Sequence, residues 1–270
     1  SLDKAVEMQY LEYNISKRIN AIPKGKANVP YWKKTEFEQV IAQIYIDDFY
    51  EHLNFVMLWV YYMTGVRVNE GMALWWEDVD FDKKRMSIHH MLDIESKTNY
   101  TRKSYTKTAS GKRTIALDND TISILKEWKE RQKAIGLGQE NDFIFSYDGA
   151  PMIKSTLGRI IERYSKLAGV KKIQGKGLRH SHTSYLINEF SASVLIISKR
   201  LGHSSPDITL KHYAHMWSNA DEAIAEVMAG NIKIETADKS NITFIGNQSV
   251  TKIIKDGAPP STPPKLVSSV

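Results

Sequence analysis

A chain of 270 residues, 42% hydrophobic and 25% charged, is long enough and apolar enough for one large cored domain or two smaller ones. It has no cysteine, which excludes disulfides, thiol catalysis and zinc–thiolate sites and fits a reducing cytoplasm. A formal charge of +6 and a pI near 9.2 favour an acidic partner, nucleic acid before a membrane surface, and the longest apolar run, residues 55–63, is too short to span a bilayer.

In chain order, residues 3–20 predict a helix and 21–30 a basic linker bounded by Pro23 and Pro30. Thr35 and Glu38 have capping-box spacing and predict a helix to about Ile46. Phe49, Leu53, Met57, Val60 and Tyr61 recur at helical spacing, predicting a longer helix over 49–63 that Gly65 would end; residues 67–76 look helical as well. Residues 85–91, 100–107 and 113–117 carry Ile, Thr and Tyr at strand-like spacing, with a turn at 109–112 joining the last two. Helices resume at about 119–136, 152–168, 179–190 and 192–201. Ser205 followed by Pro206 predicts an N-cap with proline in the first turn, opening a short helix through Tyr213. A last helix is expected over 217–229, short strands at 242–245 and 250–254, and a disordered proline-rich end. The fold class is mainly α with a small antiparallel β-sheet. The expected domains are a helix and basic linker over 1–30, a main domain over 31–230 and a tail over 231–270.

Several side chains carry chemistry. Arg67 follows a helix-ending glycine and has Glu70 one turn on, either as a cleft-facing cation steadied by a carboxylate or as a surface ion pair. Lys107 precedes the hairpin turn, where it either reaches a substrate or decorates an exposed edge. Arg179 opens a predicted helix after Gly175 and Gly177, which would set a guanidinium beside helix N-terminal amides. His203 and Tyr213 read singly as polar core residues. Together, two arginines, a lysine, a histidine and a tyrosine suit phosphoryl transfer: the guanidiniums bind non-bridging oxygens, and the phenol attacks. The run 169–176 lacks the glycine spacing of a phosphate loop, and no His-Glu-x-x-His pattern occurs, so neither a nucleotide triphosphate nor a catalytic metal is expected.

From Tyr31 to Met228 the chain resembles the tyrosine recombinases, or phage integrases. The shared elements are Thr64-Gly65-Val66-Arg67-Val68-Asn69-Glu70, the hairpin Lys107, Lys176-Gly177-Leu178-Arg179-His180, Leu201-Gly202-His203-Ser204-Ser205 and Tyr213-Ala214-His215, in family order. The resemblance implies a site-specific DNA recombinase, the integrase of a phage or other mobile element, with 31–230 as its catalytic domain and 1–30 as the end of a truncated core-binding domain. Tyr213 would be the nucleophile that forms a 3′-phosphotyrosyl link. Arg67 and Arg179 would clamp the phosphate, His203 would hydrogen-bond it, and Lys107 would protonate the leaving 5′-oxygen. Glu70 and His215 would support these groups. Lys176 stands where the family usually has histidine; it retains an electrostatic role but is a poor proton acceptor. The implied partners are double-stranded attachment-site DNA, further copies of the chain in a tetramer on DNA, and accessory bending or directionality factors, with no cofactor and no membrane. A type IB topoisomerase and a DNA-binding module with a degenerate site are the alternatives.

Overall fold

Asp48 starts the central helix, its carboxylate accepting hydrogen bonds from the Tyr50 and Glu51 backbone N–H groups at 2.9 Å. This helix, α3 (Phe49–Thr64), is buried on most of its surface, so it is the axis of the main core. Around it pack α2 (Lys34–Ile41), α4 (Val68–Gly71), α5 (Asn119–Lys133), α6 (Lys154–Leu167) and α7 (Gly175–Phe190). Trp32, Trp76 and Trp128 are fully buried, and each indole N–H donates: to the Lys171 carbonyl, to the Gln132 amide oxygen and to the Ile144 carbonyl, all at 2.7 Å. Helices α8 (Val194–Leu201) and α9 (Pro206–Tyr213) complete the unit Ser1–Trp217, which also holds α1 (Leu2–Glu7). A second unit, Ser218–Val270, contains an antiparallel pair, Ile242–Ile245 with Gln248–Thr251.

The structure is a computed structural model that describes residues 2–18, 29–96, 98–104, 111–217, 228, 242–245 and 248–251. Lys107 and nearly all of the helix expected over 217–229 lie outside the described residues, as does the proline-rich end. Among the described residues no helix is long and apolar enough to cross a membrane.

The strands are β1 (Val79–Asp80), β2 (Arg85–Ile88), β3 (His90–Ile94), β4 (Tyr100–Ser104) and β5 (Arg113–Ala116). The fold is mainly helical with small antiparallel sheets, but the pairing differs from a hairpin of 100–107 with 113–117. The stretch read as one strand divides at His89. Its first half pairs with β5, with Met86 opposite Ile115, and its second half pairs with β4, with Leu92 opposite Arg102. Met86, Ile88, Leu92 and Ile115 are all buried, so both halves keep an apolar face on the core while changing partner.

Four helix boundaries are corrected. Of the helix expected over 3–20, the described residues 2–18 form only α1 and a 3-10 turn at Ile15–Arg18; neither buries a residue, so no packing supports a longer helix there. The cap of α2 is Lys33, whose N–H donates to the Glu36 carboxylate at 2.8 Å, two residues before the Thr35–Glu38 pattern. The stretch 67–76 holds a single turn, α4. Helix α7 begins at Gly175 rather than Arg179. Gly177 is needed there, because a Cβ would lie 2.5 Å from the Pro30 carbonyl oxygen.

Gly65 closes α3 at φ +64°, and a Cβ there would lie 2.5 Å from His182 Cδ2. Gly65→Ala therefore meets both left-handed backbone strain and overpacking, an expected loss of about 2–4 kcal/mol. Urea denaturation should show the midpoint falling with an unchanged slope; a midpoint within error of the parent would contradict this account.

Candidate active site

The left-handed turn at Gly65 sends the chain back along the end of α3 and places Arg67 at the N-cap of α4. Glu70 lies three residues on, with 1% of its side chain exposed. Its Oε2 accepts from the Arg67 backbone N–H, and its Oε1 from Arg67 Nη1, both at 2.7 Å. Arg113 on β5 takes hold of the same carboxylate, through Nη2 to Oε2 at 2.8 Å and Nη1 to Oε1 at 3.1 Å. Burial alone would raise the Glu70 pKa, but the hydrogen bonds and charges of Arg113 and Arg67 win and hold it down to about 2.

Arg179 lies one turn inside α7, so it does not share an anion site with that helix's first amides. It donates instead to the Gly65 carbonyl at 2.8 Å and the Leu201 carbonyl at 2.6 Å. These carbonyls cap the C-terminal ends of α3 and α8, the negative poles of the two helices. Burial first, then the nearby Arg67 charge, lower its pKa to about 9, and it stays a cation at neutral pH. Arg67 also reaches the Gly202 carbonyl at 3.4 Å. Both guanidiniums are thus aimed by the ends of the same helices.

Gly202 ends α8 in a left-handed turn at φ +67° and delivers His203, whose Nδ1 lies 2.7 Å from Thr209 Oγ1. Burial and the Arg179 and Arg67 charges lower the His203 pKa to about 4, leaving the ring neutral at pH 7. Helix α9 begins at the Ser205 cap with Pro206 in its first turn and ends with Tyr213, which is 3% exposed. Burial raises the pKa of that phenol, against a hydrogen bond with Thr183 and the Arg179 charge, which lower it.

Arg67, Lys176, Arg179, His203 and Tyr213 line one cavity of about 370 Å³. His180 lines it too, neutral by burial and by the His212 and Arg179 charges, which lower its pKa to about 4. Lys176 is exposed on the first turn of α7, and His215 is exposed on the 3-10 turn Ala214–Trp217, outside the cavity lining. A second cavity, about 660 Å³, shares Arg67 and Lys176 and adds Lys154, Arg159 and Lys172, so the cationic surface continues beyond the first.

Sequence reasoning missed Arg113, Thr183, Thr209 and Arg200. Arg200 donates to His182 Nε2 at 3.0 Å and to the Met63 and Ala116 carbonyls at 2.9 and 3.0 Å, joining α8 to α7, α3 and β5. Arg113 stood in the hairpin stretch, but nothing in the spacing said that it meets Glu70.

Residues 32–220 match the Phage integrase family, and the chain belongs to it. It is 26% identical over 230 residues to the ICEBs1 integrase of Bacillus subtilis (strain 168), covering 83% of this chain and 61% of that protein. It is 31% identical over 171 residues to the integrase of Staphylococcus phage L54a, covering 61% and 48%. The chain thus spans about half to three fifths of the length of these curated relatives. Among solved structures, the Tn1549 transposon integrase in complex with transposon right end DNA superposes with a TM-score of 0.62 at 21% identity, over 81% of this chain and 71% of that one. The XerH site-specific recombinase bound to palindromic difH gives 0.58 at 21% identity, over 76% and 55%. Both share the fold.

Removing Arg113 strips the buried Glu70 carboxylate of the partner that seals it within the core. Arg113→Met should cost about 3–5 kcal/mol in urea denaturation, and Glu70→Gln in the same chain should restore part of it. Strict additivity of the two losses would deny the pairing.

Acid should unfold the protein in two stages. His180 and His203 have folded pKa values near 4 against a reference of 6.5, so the unfolded chain binds more protons between those values. Their contribution is complete above pH 6.5 and is lost as pH falls towards 4. Glu70, at about 2 against 4.5, adds a loss as pH falls from 4.5 towards 2. Denaturant midpoints followed from pH 8 to 3 should decline from about pH 6.5; a midpoint flat down to pH 4.5 would rule out neutral buried histidines.

Proposed function

We propose that this chain cleaves and rejoins double-stranded DNA as a site-specific recombinase, with Tyr213 as the nucleophile. The observation that carries the reading is the convergence of Arg67, Lys176, Arg179, His203 and Tyr213 on one cavity. Three guanidiniums, of Arg67, Arg113 and Arg179, gather near a single carboxylate, leaving excess positive charge where a phosphodiester would sit. The adjoining Lys154, Arg159 and Lys172 supply a path for neighbouring backbone phosphates.

In this reaction the Tyr213 phenol loses its proton to solvent as its oxygen attacks phosphorus, and the bond to the 5′-oxygen breaks. The phosphate becomes a 3′-phosphotyrosine and the leaving strand a 5′-hydroxyl. The Thr183 hydrogen bond breaks as the phenol moves into line. Arg67 and Arg179 take up the charge that grows on the non-bridging oxygens. With the Thr209 hydroxyl donating to Nδ1, His203 carries its proton on Nε2 and gives it to one of those oxygens as a hydrogen bond. Lys107 protonates the leaving 5′-oxygen, and Lys176 contributes charge. Glu70 holds Arg67. Attack by another strand's 5′-hydroxyl on the phosphotyrosine completes exchange, so the bond energy is conserved without nucleotide hydrolysis. A tetramer on attachment-site DNA in the cytoplasm, helped by bending or directionality factors, is the proposed assembly.

The test is a nicked duplex carrying the element's attachment core, incubated with the full-length protein and resolved on a denaturing gel. A covalent adduct is expected, absent in Tyr213→Phe and formed about 100–1,000-fold more slowly in Arg179→Lys. No adduct on cognate DNA, or an adduct that survives in Tyr213→Phe, would overturn the assignment. Joining of two specific sites, rather than relaxation of any supercoil, distinguishes recombinase from topoisomerase.

A further inference from the structure

We infer that Asp78, His89 and His90 form a site for one zinc-class divalent cation, away from the proposed active site. Asp78 ends the 3-10 turn Trp76–Asp78, and the two histidines sit where β2 passes into β3. One ligand atom from each residue lies within 4.8 Å of the other two. Asp78 is 2% exposed on its side chain, and its two oxygens differ in surroundings. Oδ2 accepts from the Trp75 N–H at 2.9 Å and from Arg102 Nη2 at 2.7 Å. Oδ1 is buried and, among the described residues, has no hydrogen-bond partner; His89 Nε2 stands 3.3 Å away without hydrogen-bonding geometry. His90 Nδ1 is likewise buried and unpartnered among the described residues. Buried polar atoms left in this way are costly, and two of them on residues of one three-member cluster point to a missing ligand.

The chemistry selects the cation. Two imidazoles and one carboxylate are the donors of zinc and related transition-metal sites, whereas magnesium and calcium prefer all-oxygen shells. Around a tetrahedral ion with bonds near 2.05 Å, ligand atoms lie about 3.3 Å apart, the spacing already present between Asp78 Oδ1 and His89 Nε2. Arg102 argues against a cation at first sight, because it holds the same carboxylate. It also pairs with Glu77 at 3.1 Å, stacks 3.9 Å over the Trp75 ring and donates to the Ala73 carbonyl at 2.9 Å. Two carboxylates therefore face one guanidinium, and the cluster keeps a net charge of −1. Arg102 then acts as an orienting partner, fixing Oδ2 so that Oδ1 points at the imidazoles. His89 is 36% exposed and gives the ion a way in. A bound ion would tie the Trp76–Asp78 turn to the root of the β3–β4 hairpin, and β4 leads in sequence to Lys107.

Isothermal titration of the chelator-treated chain with zinc chloride tests the site, with cobalt(II) absorption reporting coordination geometry. One equivalent is expected, together with a thermal midpoint raised by zinc and returned by chelator. His89→Gln and His90→Ala should each weaken zinc by at least the roughly 10–100-fold that changes to a second shell cause. His89, being partly exposed, tolerates replacement, and circular dichroism of the metal-free variants checks folding. The inference fails if the parent chain binds no zinc at micromolar concentration. It fails equally if the double variant binds zinc as the parent does, which would place the ion at other histidines and leave Asp78 and His89 an ion pair only.

Discussion

The buried Glu70 carboxylate is the constraint on which the rest of the site depends. A single carboxylate at 1% exposure costs several kcal/mol to desolvate, and its two arginine partners offset that cost only in good geometry. Here Arg113 grips it with both ends of its guanidinium, and Arg67 with its backbone N–H and Nη1; Arg113 is sealed at 6% exposure and Arg67 open at 40%. The pair is asymmetric in use. Arg113 neutralises Glu70 from within the core, and Arg67 is held by one edge while its other edge faces the cavity. Arg179 is held, among the described residues, by carbonyl oxygens rather than by a carboxylate, so its charge remains to attract an anion.

Those carbonyls belong to two helix ends made by glycine. Gly65 and Gly202 both turn left-handed, and each exposes the last carbonyls of its helix to a guanidinium. Arg200 locks the two ends together, reaching from α8 to the end of α3 and to β5, while its Nε donates to the buried His182. His182 in turn lies against Gly65 so closely that no side chain fits. Backbone conformation, packing and charge placement are therefore one arrangement. A fault at any of these points displaces both Arg67 and Arg179.

Local chemistry was legible in the sequence, and long-range partnership was not. The Gly65 stop, the Ser205–Pro206 cap and the α3 periodicity are signals carried within a few residues, and the structure has each of them. The Thr35–Glu38 pattern misled because the Glu36 carboxylate takes the Lys33 backbone N–H two residues earlier, and the helix starts there with Phe37 and Val40 buried. Strand periodicity could not reveal that one stretch serves two partners. The motif order brought five side chains to one cavity on paper, yet Arg113 stayed invisible: it binds Glu70 across 43 residues of sequence, and no periodicity encodes that distance. That Asp78 approaches His89 and His90 was invisible as well, since adjacent histidines on an extended segment carry no recognised ligand spacing.

The cations and the tyrosine belong to different parts of the core. Arg67 and Glu70 grow from the end of α3, the axis of the main apolar cluster. Tyr213 packs in a separate small cluster with Ile187, Ile197 and Leu201. Few apolar contacts hold such a satellite, so α9 opens at lower free energy than α3 does. Burial of the phenol, its hydrogen bond with Thr183 and its raised pKa all keep it neutral and held in place. Under the proposed reaction the phosphate site need not reorganise, because the helix ends fix it. Only the short capped helix has to move, and that division lets the rigid cations wait for charge while the tyrosine is withheld from water.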